Sequence, residues 1–218
     1  MKKLSIITLL ALSLQANEAT IKDVESNETK QEVVKEVQAT ESNETKSTQN
    51  IVEPTELKAE GIKYIMMLGK SLKTALQKEM KADPTGVKAL EFCTQKADEI
   101  TKEVNSKLPE GASVRRTALK VRAEDNVADA ADEGIMEVFE KAANDKKLTP
   151  KNIIAIDMND SVRVYKPLLV MPVCTKCHGE NVSDELKAKI TESYPKDQAM
   201  GFKEGDFRGV IVSEIKKK

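Results

Sequence analysis

The chain has one histidine and three cysteines in 218 residues. A single imidazole excludes any metal site that draws two from one chain. Three thiols leave at least one without an intrachain disulfide partner. No apolar run reaches the length of a membrane-spanning helix. Neither sign of charge dominates, with 35 Lys and Arg against 36 Asp and Glu, and no basic block is suited to nucleic acid. Lys216-Lys217-Lys218 at the C-terminus is too short to alter that.

What is present is concentrated in Cys174-Thr175-Lys176-Cys177-His178. Two thiols separated by two residues, followed directly by histidine, form the attachment pattern for c-type haem. Cysteines three positions apart can each add across one porphyrin vinyl group, and the adjoining imidazole then lies beneath the iron as its proximal ligand. Two other readings compete. A zinc site would need Cys174, Cys177, His178 and Cys93 together, because zinc takes four ligands. A redox dithiol sits at the start of a helix after a strand, and Leu168–Val173 just before the motif is strand-like.

The N-terminus bears on that choice. Met1-Lys2-Lys3 is basic, Leu4–Leu14 is apolar apart from Ser and Thr, and small residues follow. Residues 1–19 therefore read as a secretory signal peptide. Export to the periplasm and covalent haem attachment outside the cytoplasm support each other. Residues 20–54 are polar, without aromatics, and read as a disordered linker, because such a segment buries too little apolar surface to offset its ordering entropy. Glu-Ser-Asn-Glu-Thr-Lys occurs twice there, at Glu25–Lys30 and Glu41–Lys46. Asn27 and Asn43 are candidate N-glycan sites, against a solvated low-complexity repeat as the plainer reading.

From about residue 55 to 218 the chain is long enough for one domain with a real core. Apolar spacing predicts an amphipathic helix over 56–81, then a second over about 84–107 opened by Asp83-Pro84 and carrying Cys93 on its apolar face. Val114–Arg122 reads as a strand. Asp129–Asn144 reads as a helix with Ile135, Val138, Phe139 and Ala142 as its stripe. Residues 153–158 and 162–171 form a hairpin around Asn159-Asp160. Ser183 caps a short helix to about Glu192, and 209–215 is a final strand. The order predicts an α+β domain with an antiparallel sheet and flanking helices.

The lone His178 means that a sixth iron ligand must be Met, Cys, Lys, water or none. Met200 lies nearest downstream, and Met66, Met67, Met80, Met136, Met158 and Met171 are others, although methionine at helical spacing is usually core. Cys93 is the sharper candidate. With Cys174 and Cys177 consumed by thioethers it has no intrachain partner, and it is either a buried thiol or a ligand to the iron. Arg115, Arg116, Lys120 and Arg122 form a cationic cluster of the kind that holds haem propionates, or a solvated strand face. Tyr165 is a further propionate candidate, or a core aromatic.

Glu91-Phe92-Cys93, Val114–Arg122, Tyr165-Lys166-Pro167-Leu168, Cys174–Gly179 and Gly205–Gly209 together resemble a family of secreted single-haem c-type proteins. That family carries a PAS-like domain of unknown function, alone or as the sensing module of signalling proteins, and the resemblance covers about residues 57–215. One departure is Ala123-Glu124-Asp125, where the family more often has an Asn-Pro turn. The resemblance implies a PAS-like antiparallel sheet, N-terminal helices packed over one covalent haem c, and axial ligation by His178 and Cys93. A thiolate donor stabilises ferric iron and lowers the potential, and its release on reduction would open a site for a gaseous ligand. The expectation is a periplasmic haem protein sensing redox state or a small ligand through a redox or signalling protein partner, or else a small soluble electron carrier. An enzyme is not expected, because no second His is available for distal acid–base work.

Overall fold

The computed structural model describes residues 54–218. The expected signal peptide over 1–19, the linker over 20–53, and Asn27 and Asn43 lie outside the described residues, while Pro54, expected as the linker's last residue, opens the first helix. Helix α1 runs over Pro54–Ala82, a little longer than its periodicity predicts. Leu57, Tyr64, Ile65 and Leu68 recur at steps of one, three and seven and are buried, which places them on one face of a 3.6-residue helix.

The expected second helix is two: α2 over Val87–Gln95 and α3 over Ala97–Asn105, meeting at Lys96. Its start is also later than expected. The Asp83 carboxylate accepts from the Thr85 amide at 3.0 Å, the Thr85 hydroxyl at 2.6 Å and the Lys88 amide at 3.1 Å. Pro84 therefore sits in a turn, and Gly86 becomes the N-cap. The break has a packing reason. The α2 stripe meets α1 and α6, whereas α3 meets α1 and the first strand.

Strand β1 (Ala112–Thr117) is shorter than expected, and a single 3₁₀ turn, Glu124–Asn126, precedes α4 (Ala130–Asn144). In α4 the buried side chains are Asp132, Met136 and Phe139, while Val138 is exposed. That corrects the expected stripe by rotating it toward positions at i, i+4 and i+7. The hairpin forms as expected from β2 (Ile154–Asp157) and β3 (Ser161–Leu169). Then come α5 (Thr175–His178), α6 (Asp184–Ser193), with Ser183 accepting from the Leu186 amide, and β4 (Phe207–Lys216).

The four strands among the described residues form one sheet in the order β1-β4-β3-β2, every neighbouring pair antiparallel. With six α-helices among the described residues the class is α+β, as predicted. Alternation along each strand divides the side chains between two faces. Val114, Val162, Val164, Ile211 and Ile215 pack with α1. Tyr165, Val210 and Val212 pack with Met136 and Phe139 of α4 on the other face. Among the described residues no helix is long and apolar enough to cross a membrane.

Helix α1 lies on the sheet through Gly61. A Cβ there would stand 2.6 Å from both Ser213 Oγ and Val164 Cγ2, closer than atoms pack. Gly61→Ala is expected to push α1 from the sheet and cost about 1–3 kcal/mol. A urea titration would show it as a lowered midpoint at unchanged slope.

Candidate functional site

The site lies where β3 leaves the sheet. Pairing slips between Leu168 and Leu169, after which the Val170 amide donates to Asp206 O at 2.9 Å. A 3₁₀ turn, Pro172–Cys174, leads straight into α5. The Thr175 hydroxyl donates to Pro172 O at 2.7 Å and fixes that entry. Gly179 ends the helix, where a Cβ would stand 2.3 Å from Thr175 O, so no side chain fits after the histidine. On this single turn Cys174 and Cys177 are three residues apart and share a side.

Two adjoining cavity lobes, about 330 and 210 Å³, open beside this turn, within the size range of small-ligand sites. Cys93, Arg122, Leu168, His178 and Arg208 line both. The smaller lobe is walled by apolar side chains from α1, α2 and the end of β3, among them Leu76, Met80, Leu90 and Val170, and it holds Cys174 and Cys177. The larger lobe is mixed, with Arg116, Asp98, Asn126 and Tyr194 beside Ala118, Val121 and Leu168.

His178 Nδ1 lies 2.7 Å from Ala199 O. A carbonyl only accepts, so Nδ1 carries the proton and Nε2 keeps its lone pair. Burial, then the positive charges of Arg122 and Arg208, push the imidazole pKa down to about 3 against the opposing pull of that hydrogen bond. The ring is neutral, as a metal ligand must be. Burial raises the Cys93 thiol, opposed by Arg116 and Arg122, and burial also raises the Cys177 thiol. Arg208 is lowered to about 10, first by burial and then by Arg122, the signature of cations gathered without enough anion. The buried Arg116 Nε has no partner.

Six of the predicted residues come together at the cavity: Cys93, Cys174, Cys177, His178, Arg116 and Arg122. Two do not. Arg115 projects from the opposite face of β1 and binds Asp132 at 2.5 Å. Tyr165 is fully buried on that same face, its hydroxyl donating to Asp132 at 3.0 Å. Both readings as cofactor contacts are corrected, because strand alternation turns them toward α4. Of the methionines, Met80 and Met171 line the apolar lobe. Met200 packs instead against the cluster of Leu90, Leu186 and Ile190. The four residues a zinc site would need all line the apolar lobe, but among the described residues no group of three or more His, Cys, Asp or Glu stands placed to hold a metal ion. Sequence reasoning missed Arg208 and Asp197. Arg208 stood inside a quoted motif without a role, and nothing local marks Asp197.

The fold and the site define an α+β domain with a Cys-x-x-Cys-His turn at the end of an antiparallel sheet and a third cysteine, from a separate helix, on the same cavity. The chain belongs to the Tll0287-like family, whose profile matches residues 16–215. Its fold is similar to the crystal structure of the cyanobacterial heme-protein Tll0287, at a TM-score of 0.57 and 23% identity, over 77% of this chain and 98% of that one. No curated protein matches the sequence.

Proposed function

We propose that this chain is an exported, periplasmic, single-haem c-type protein that senses redox state or a small ligand. The observation that carries the reading is a two-lobed cavity lined by Cys174, Cys177, His178 and Cys93, apolar beside those two thiols, with Arg122 and Arg208 where the lobes meet and Arg116 in the larger one. A porphyrin has the same polarity, with vinyl groups on one edge and propionates on the other. The unpartnered Arg116 Nε and the depressed Arg208 supply the cationic demand that two carboxylates would meet.

When bound, a haem would supply a one-electron iron couple. Cys174 and Cys177, three residues apart on one turn and facing the apolar lobe, would hold it as thioethers. His178 presents Nε2, its other nitrogen held by Ala199 O. Cys93 presents a thiol that ferric charge would deprotonate. Cys93 lies three residues before the α2–α3 junction, so a change at that side chain would reach two helices, which favours a sensor over a carrier.

The test is to mature the protein in a host competent for c-type attachment. A coloured product whose mass exceeds the polypeptide by one haem is expected, and Cys174→Ser/Cys177→Ser should lose that covalent mass. A colourless product of bare polypeptide mass sinks the reading.

A further inference from the structure

Arg122 entered as a candidate propionate partner, but its contacts lie elsewhere. Nε stands 3.1 Å from Asp197 Oδ1, and Nη2 stands 3.3 Å from Oδ2. This is a side-on fork to one carboxylate. Nη2 also donates to Cys177 O at 2.7 Å and approaches Ala199 O at 3.4 Å. The pair is buried, with 10% of the Arg122 side chain and 3% of Asp197 exposed. Asp197 Oδ1 in turn accepts the Ala199 amide at 2.9 Å. The Ala199 carbonyl then takes the proton of His178 Nδ1 at 2.7 Å. Two backbone bonds extend the clamp, from the Phe202 amide to His178 O at 2.9 Å and from the Gly201 amide to Gly179 O at 3.0 Å.

Arg122 therefore grips both sides of the imidazole. It holds the carbonyl that precedes His178 in the chain, and through Asp197 it holds the loop whose carbonyl fixes the ring. A buried ion pair costs desolvation, and hydrophobic replacement is often no less stable. Such a pair is best explained by what it orients. We infer that the Arg122–Asp197 pair is the positioning device of His178, setting the imidazole tautomer and ring orientation through the Ala199 carbonyl. Partners behind a ligating histidine do this in metal sites, where they fix which nitrogen is free. The inference deepens the haem-binding reading and rests on it for its consequence, though not for its geometry.

The lone histidine makes the test direct, since its two nitrogens need no assignment against others. Nitrogen-detected NMR of the full chain at neutral pH, matured without haem, should show one tautomer, with the proton on Nδ1. Asp197→Asn and Arg122→Lys should each give a mixture of both tautomers, because lysine cannot span Asp197 and the Cys177 carbonyl together. In the haem-loaded protein the same variants should change the low-spin ferric EPR g-values, and Asp197→Asn, leaving Arg122 uncompensated, should move the potential upward. Folded variants that keep the single Nδ1–H tautomer and wild-type g-values, with only a lower melting temperature, overturn the positioning role. A wild-type chain that attaches no haem overturns the functional reading, while the tautomer measurement still decides the positioning.

Discussion

Cys93→Ala in the haem-loaded protein is expected to abolish the low-spin ferric EPR signal of thiolate ligation and raise the reduction potential. The expectation starts from position. Cys93 is the cysteine that lies outside the Cys-x-x-Cys-His motif, and it lines both lobes of the cavity. Without iron, burial disfavours its thiolate, and only Arg116 and Arg122 oppose that. The charge of a bound ferric iron would supply the missing stabilisation. An anionic donor favours the ferric state, so removing it should shift the potential upward by roughly 0.1 V, a modest part of the roughly 0.8 V that axial ligands span. Alanine is small and the site is a cavity wall, so the fold should survive. Met80 and Met171 line the apolar lobe and are the competing donors. A variant with unchanged EPR and unchanged potential would pass the ligand role to them. In the wild type, carbon monoxide binding only after reduction would mark Cys93 as the group that leaves, as a sensor requires. An iron closed to ligands in both states would point to an electron carrier.

Asp132→Ala is expected to destabilise the domain by about 3–5 kcal/mol, the usual result of removing one partner from a buried ion pair. Asp132 is fully buried on the α4 face of the sheet. It receives Arg115 at 2.5 Å, the Tyr165 hydroxyl at 3.0 Å and Arg163 at 3.4 Å. It also closes the capping box of α4, accepting the Asp129 amide while its own amide donates to Asp129. Truncation leaves the Tyr165 hydroxyl buried without a partner and Arg163 held only by Asp129 and Glu214. For a domain of this size the loss corresponds to roughly 10 °C in melting temperature. Calorimetry would read it. The haem spectrum should not move, because this network sits across the sheet from the cavity. A drop below about 1 kcal/mol would show that Arg115 and Arg163 relax to solvent at little cost.

These two residues show where local pattern stops. Periodicity and capping made most elements legible: α1 from its apolar stripe, the 153–171 hairpin from its turn, and α6 from Ser183. The division of α2 from α3 was not legible, because both halves keep helical spacing and only their different packing partners impose the break at Lys96. Arg115 and Arg116 looked alike in the sequence. Alternation requires adjacent strand residues to face opposite ways, yet it does not say which of the two faces the cavity. Pairing of β1 with β4, Arg115 beside Val212 and Arg116 beside Ile211, settles it. Tyr165 follows the same parity.

The sequence by itself determined the Cys-x-x-Cys-His turn, since Cys174, Cys177 and His178 are neighbours and one helical turn brings two thiols to one side. It also determined the α+β class, through runs of period 3.6 and period 2 in a fixed order. Only the tertiary structure decided which distant groups join that turn. Cys93, Arg208 and Asp197 reach it from a helix, a strand and a loop that no local spacing relates. Side chains far apart in the chain meet through burial of α1 on the sheet and clamping of the 197–202 loop against His178, and such meetings are properties of the packed whole.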